Sequence, residues 1–293
     1  MTTKLTSPAS SNPKSEIGNR KSVCRLIVNA DDFGRSHSIN EAVIRAHREG
    51  ILTSASLMVN EPGFEEAVKL AKENPKLGAG LHLTLLCGHA ALPPEKIPGL
   101  VNSRGEFSSN PIGTGFRYFF NRSLRGQLRD EIHAQFEKFH ATGLPLDHVD
   151  GHLHLHLHQV VFGILMADAE KLGIRRMRFT RDCLARSRRM ARGRWFYRVS
   201  HAAIHQWLSR RAREPLRQRG ITHVQITFGL LQDSRVDEAY ILKLLPELPP
   251  GDSELYSHPS LDEFKHEFDA LVSPRVKEQI NQLGIELVRY RDL

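Results

Sequence analysis

The chain has 293 residues, 40% of them hydrophobic, and a net charge of +8, enough to bury a sizeable core within the size range of single-domain α/β barrels. No stretch approaches the roughly 20 apolar residues that span a bilayer, which argues against an integral membrane protein. Three widely spaced cysteines, Cys24, Cys87 and Cys183, argue against a disulfide framework and for a cytoplasmic address.

Residues 1–22 are rich in Ser, Thr, Asn, Pro and Lys and contain no apolar run, so they read as a disordered tail and not as a signal peptide. A single domain is expected over 23–293, in which short apolar runs alternate with helical patterns. Candidate strands lie at 25–30, 52–59, 78–85, 146–150, 175–180, 222–228, 254–257 and 285–290, each with the length and β-rich composition of a strand. The segment after Ser38 has capping-box spacing to Glu41 and stops at Gly50, while Leu124, Leu128, Ile132, Phe136 and Phe139 form one helical stripe ending before Gly143. Seven or eight βα units without a Gly-rich nucleotide fingerprint predict an α/β fold, a distorted seven- or eight-stranded TIM-like (β/α) barrel. In such a barrel the chemistry sits at the C-terminal ends of strands.

Four strand ends carry reactive side chains. The first strand runs into Asp31 and Asp32, a pair that in isolation reads more readily as a turn capping the next helix. His82 in GLHLTL shares a face with Thr84, opposite Leu81, Leu83 and Leu85; a lone strand histidine is more often packing than ligand. Asp150 precedes His152, His154, His156 and His158, separated by leucines. On a continued strand successive histidines would lie ~6.6 Å apart, too far for one ion to collect all four. One or two ligands are expected from this run, with the others as supporting donors, substrate contacts or a helix start. His258, held extended by Pro259, ends a later strand or marks a surface turn. Taken together, Asp31, Asp32, His82, His152 and His258 supply what a hydrolytic metal site needs: an open-sided ion, a carboxylate base, and an acid for the leaving group.

At these residues the chain resembles the YdjC-like carbohydrate deacetylases: NADDFG at 29–34, GLHL around His82, HVDGHLHLH from His148 to His156, and SHP ending in Pro259. The resemblance spans about 25–293. Within the family it is most similar to the branch associated with hopanoid biosynthesis, through NEAVIRAHREGILTSASLMV, FRYFF, EIHAQFEKFHATGLPLDHV and LVSPRVKEQI. It implies one divalent ion, Mg or Zn, held by Asp32, His82 and His152, with Asp31 as base and His258 as general acid. His154 and His156 are alternative participants. The chain reads DGHLHLHLH where that branch more often has NAHKHFHLH, which leaves the role of Asp150 open between supporting the ligands and contacting substrate. The implied reaction removes the acetyl group from an N-acetylated amino sugar, with an N-acetylglucosaminyl hopanoid favoured, a soluble chitooligosaccharide second, and a non-catalytic metal-binding module third.

The charge is local. Residues 175–219 hold fifteen arginines against Asp182 and Glu214, a surplus of thirteen, so the rest of the chain carries −5. This basic insertion, at about 181–219, includes Trp195, Phe196, Tyr197 and Trp207. It fits peripheral contact with an anionic inner-membrane surface, and equally a solvated loop. No nucleic-acid recognition motif accompanies it.

Overall fold

β1 (Cys24–Phe33) is the longest strand and the axis of the sheet. In this computed structural model, residues 23–182, 195–232 and 234–293 are described. The expected N-terminal tail, Cys183 and the 183–194 part of the basic insertion lie outside them. After β1 come α1 (His37–Glu49), β2 (Ser54–Leu57), α2 (Phe64–Glu73), β3 (Gly78–Leu83), α3 (Pro111–Phe120), α4 (Leu124–Ala141) and β4 (Val149–Gly151). A 3-10 turn, His152–Leu157, leads to α5 (Gln159–Ala167). The basic helix α6 (Trp195–Gln218) is followed by β5 (Ile226–Phe228), α7 (Glu238–Leu244), β6 (Gly251–Ser257), α8 (Lys265–Val272), α9 (Pro274–Leu283) and β7 (Glu286–Leu287).

The strands pair in the order β4-β3-β2-β1-β6-β5, with β7 against the start of β1, and every pairing is parallel. Parallel neighbours need crossover connections, which the helices provide. The predicted strand at 175–180 contributes only single parallel bridges, Val149 to Met177 and Arg176 to Thr222. Those bridges carry the ladder from β4 towards β5, so the sheet curls back on itself. The result is an α/β fold with a curled parallel sheet.

Alternation along β1 separates two environments. Leu26, Val28 and Ala30 join the main apolar core with the helices, whereas Ile27 belongs to a small cluster with Val224, Val288 and Tyr290. On the outside of the sheet the predicted stripe of α4 holds: Leu124, Leu128, Ile132, Phe136 and Phe139 are all buried, and Gly143 follows the helix at φ +76°. Burial of each such side chain contributes roughly 1.5–3 kcal/mol. The N-cap of α1 differs from the expected one. Ser36, not Ser38, accepts the helix-start bond from Ile39 N, and the Ser38 hydroxyl instead accepts from Leu261 N. No described helix is long and apolar enough to cross a membrane.

Candidate metal centre and active site

Consecutive strand residues point to opposite faces, so Asp31 and Asp32 would ordinarily part. β1 prevents this with an irregularity. Its register to β2 steps from Ala30↔Ala55 to Phe33↔Leu57, one extra residue on the β1 side, and Asp32 adopts φ +63°. A bulge of this kind re-aims side chains. Gly34 completes the turn at φ +94°, where an added Cβ would come within 2.7 Å of the Met58 carbonyl oxygen.

Asp32 then meets two imidazoles. Its Oδ1 lies 2.9 Å from His152 Nδ1 and 3.3 Å from His82 Nε2, and its Oδ2 accepts from Arg35 at 2.9 Å. His82 and His152 face each other edge to face, ring centroids 5.5 Å apart. One donor atom from each of Asp32, His82 and His152 falls within 4.8 Å of the others. Two nitrogens and a carboxylate oxygen converging beside a cleft match an open catalytic ion site, so this buried cluster fits a divalent ion. A second set, Asp31, His82 and Asp150, meets the same distance limit. There, however, the Arg178 guanidinium already neutralises both carboxylates, which favours a cation at the first set.

Arg178 organises the floor of the site. Fully buried, it donates to Asp31 Oδ2 and Oδ1 at 2.8 and 2.7 Å, to Asp150 Oδ2 at 2.8 Å and, through Nε, to Glu254 Oε1 at 2.9 Å. The Tyr256 ring stacks on the guanidinium at 4.8 Å. Burial disfavours its charge, but Asp150, Asp31 and Glu254 outweigh that and push its pKa higher still. Around it, Asn29 donates to Asp31 Oδ1 and to Ser56 Oγ, Ser56 donates to Asp150 Oδ2, and the Tyr290 hydroxyl donates to Glu254 Oε2 at 2.6 Å. Such a network stabilises to the extent that its members are satisfied; here the carboxylates, the guanidinium and both hydroxyls have partners, and Asn29 Oδ1 has none.

Asp150, left open by the sequence, lies 2.8 Å from His82 Nδ1. Each ring nitrogen of His82 therefore faces a carboxylate. Burial alone would lower the His82 pKa; Asp150, Asp31 and Asp32 reverse this and push it up to about 10. Burial likewise raises the Asp32 carboxyl, but His152 and His82 hold it well below the usual range.

The histidine run does not continue as a strand. β4 stops at Gly151, and Leu153 and His154 take φ of 49° and 58° within the 3-10 turn, which sends the histidines to different places. His152 reaches Asp32 and His82. His154 lies 3.2 Å from the Tyr256 hydroxyl, and burial, then His205 and Arg178, push its pKa far down. His156 is fully buried beneath the site with Nε2 bonded to the Arg178 carbonyl oxygen at 3.2 Å, and burial lowers its pKa to about 4. His158 leaves the site and meets the Gly115 carbonyl oxygen of α3 at 3.0 Å. His258 sits on the cleft wall, its side chain 24% exposed, with its backbone N–H held by Glu267.

The cleft, about 290 Å³, is lined by Asp31, His82, His152, His154, Tyr256 and His258 among others. Residues that sequence reasoning missed are Arg178, Glu254, Asn29 and Ser56, together with His201 and His205 of α6, which form part of the cleft wall.

The family model described as YdjC-like protein matches residues 25–282. A carbohydrate deacetylase of Brevibacillus brevis is 43% identical over 147 residues, 50% of this chain and 56% of that protein. A carbohydrate deacetylase of Clostridium beijerinckii is 30% identical over 282 residues, 92% of this chain and 100% of that protein. In the first of these alignments the chain thus spans little more than half of its relative's length. A solved structure from Enterococcus faecalis V583, provisionally described as a cellobiose-phosphate cleavage protein, is 26% identical, covers 92% of this chain and 99% of its own, and superposes with a TM-score of 0.70.

Proposed function

The chain belongs to the YdjC-like protein family, and on that premise we propose that it is a metal-dependent hydrolase removing the N-acetyl group from an N-acetylated amino sugar. The convergence of Asp32, His82 and His152 beside Asp31 in one cleft carries this reading. The relatives named as carbohydrate deacetylases support it. The fold we infer is a distorted seven-stranded barrel with 175–180 as the seventh strand, supported by the two bridges that flank that segment.

Asp32, His82 and His152 would hold the ion, Mg or Zn. When bound, a divalent ion supplies Lewis-acid polarisation of a carbonyl and a lower pKa for water. Asp31 is the base. Arg178 and Asn29 fix its carboxylate so that it can accept the proton of the water that adds to the acetamide carbon. Asp150 holds the His82 ring in the orientation its role requires. His258, on the cleft wall, donates a proton to the nitrogen as the C–N bond breaks. Acetate and a free amine leave.

The favoured substrate is an N-acetylglucosaminyl hopanoid glycolipid. What supports it over a soluble chitooligosaccharide is a neighbouring groove of about 530 Å³, lined by apolar residues including Ile112, Phe119, Leu155, Ile204 and Leu208. It shares Pro111, Leu153, His154, His201 and His205 with the cleft. A sugar in the cleft would extend its aglycone into this groove, where an apolar group gains and a second sugar does not.

The test is acetate release by metal-loaded protein from N-acetylglucosaminyl hopanoid in liposomes and from diacetylchitobiose in buffer. Release from the lipid alone supports the glycolipid, and release from the disaccharide alone supports the soluble reading. Release from neither overturns the deacetylase and leaves a metal-binding module.

A further inference from the structure

A surface helix normally turns its polar side outwards. α3 does the reverse. Its sequence, PIGTGFRYFF, buries Thr114 and Tyr118, with the Tyr118 hydroxyl donating to the Leu85 carbonyl oxygen at 2.8 Å. Outwards it shows Ile112, Phe116, Phe119 and Phe120, exposed by 73%, 62%, 41% and 71%. Those phenylalanines contact one another, Phe116 stacked on Phe120 at 6.2 Å and Phe119 edge-on to Phe120 at 4.9 Å. α6 adds Phe196, Val199, Ile204 and Trp207, each at least half exposed. Among the described residues the exposed large hydrophobics number eleven; apart from Val23 and Leu283, all lie on α3, on α6 or at Leu153 between them. Chance scatter does not concentrate exposed apolar surface in this way.

The charge on and beside the same two elements is mostly positive. Residues 111–129 contain Arg117, Arg122, Arg125 and Arg129 and no acid, with Arg129 paired to Asp168, and α6 exposes Arg210, Arg211, Arg213 and Arg217 against Glu214. The Arg211 guanidinium lies 4.9 Å from the centre of the Trp207 ring, a pairing of cation and aromatic that suits an interface between water and an apolar phase.

We propose that α3 and α6 together form a docking rim for an anionic lipid bilayer, with the phenylalanines entering the headgroup boundary and the arginines meeting lipid phosphates. The exposed arginines of α6 are half of this surface; the aromatic face of α3 is the other half. Both helices also line the apolar groove beside the cleft, so a docked rim sets the mouth of the site against the bilayer. A second copy of the chain fits the surface less well, because two arginine-bearing faces would oppose each other. The inference rests on surface chemistry and holds whether or not the cleft cleaves an acetamide.

Co-sedimentation of the full chain with phosphatidylcholine vesicles, and with vesicles of equal parts phosphatidylcholine and phosphatidylglycerol, tests it. The protein is expected to pellet with the anionic vesicles and to be released by added salt. Phe116→Ser with Phe120→Ser is expected to lower partitioning by about tenfold or more, and Arg210→Glu with Arg211→Glu to abolish the salt-sensitive part, with thermal melting showing that each variant is folded. Wild-type protein that stays in solution with anionic vesicles overturns the proposal, as does undiminished binding of both folded variants. A dimer in light scattering that the phenylalanine variant dissolves would assign the face to a second copy and also overturn it. Acetate release plays no part in this readout, so failure of the proposed function leaves it standing.

Discussion

Arg178 and Asp31 stand 147 residues apart in the chain, and the guanidinium nevertheless meets both carboxylate oxygens of Asp31, at 2.8 and 2.7 Å. The same side chain bridges Asp150 and Glu254, so one cation ties Asp31, the proposed base, to the carboxylate beside His82. Position and charge balance at the site therefore depend on one residue.

Replacing Arg178 separates these two duties. Arg178→Gln leaves three buried carboxylates without their cation and should cost about 3–5 kcal/mol of stability, read by urea unfolding. Arg178→Lys keeps a charge but loses the planar fork. It should remain folded while kcat falls by about 100-fold through misplacement of Asp31. Wild-type kcat in Arg178→Lys would show that Asp31 needs no such anchor.

Under the proposed ligand set, Asp150 would act on a bound ion through His82 Nδ1. Asp150→Asn should weaken metal affinity by about 10–100-fold, measured by competition with a chelating dye. Asp31→Asn should keep metal affinity near wild type and lose turnover. Equal loss of affinity in both variants would contradict the division of roles.

Metal uptake should be proton-coupled. In the ion-free protein His82 faces carboxylates from both ring nitrogens and its pKa is pushed up to about 10, so at neutral pH it carries a proton that a bound ion must displace. Apparent affinity should rise about tenfold per pH unit from pH 6.5 towards 10, with one proton released per ion in calorimetry across buffers of different ionisation enthalpy. In the ion-free protein the raised pKa makes the His82 contribution to stability fully present below pH 6.5 and lost as pH rises through about 10. pH-independent affinity would contradict the protonated His82.

His156 and His205 shift the other way, both lowered to about 4 by burial. The unfolded chain takes up their protons near pH 6.5 and the folded protein only near 4, so the unfolded state binds more protons in between. Stability should fall as pH drops from 6.5 to 4, by about 1.4 kcal/mol per pH unit for each histidine. His205→Gln should reduce that slope in pH-dependent urea unfolding; an unchanged slope would exclude His205 as a contributor.

Much of the site was legible because its residues sit in short apolar strands. Asp32, His82 and His152 each end or follow a strand marked by a run such as RLIVNA or GLHL, and the fold brings these strand ends together. The histidine run was harder. Alternation predicts one shared face, but Gly151 ends the strand and two left-handed residues redirect His154 and His156, a change that no spacing rule reveals. Arg178 was hidden among fifteen arginines between 175 and 219. The signal was local: in RRMRFT the arginine alternates with Met177 and Phe179, and a strand covered on both faces must pair any charge it holds. The expected cap, Ser38, instead meets Leu261 N, a tertiary contact that local spacing does not reveal, and Ser36 caps the helix.

The measurement that bears most directly on the metal-dependent hydrolysis is acetate release from the better of the two substrates before chelation, after chelation, and after return of Zn or Mg, for wild type and Asp32→Ala in parallel. Loss of turnover on chelation, recovery on return of the ion in the wild type, and no recovery in Asp32→Ala are the predicted results. Full turnover in the chelated wild type, or in Asp32→Ala, would contradict the account.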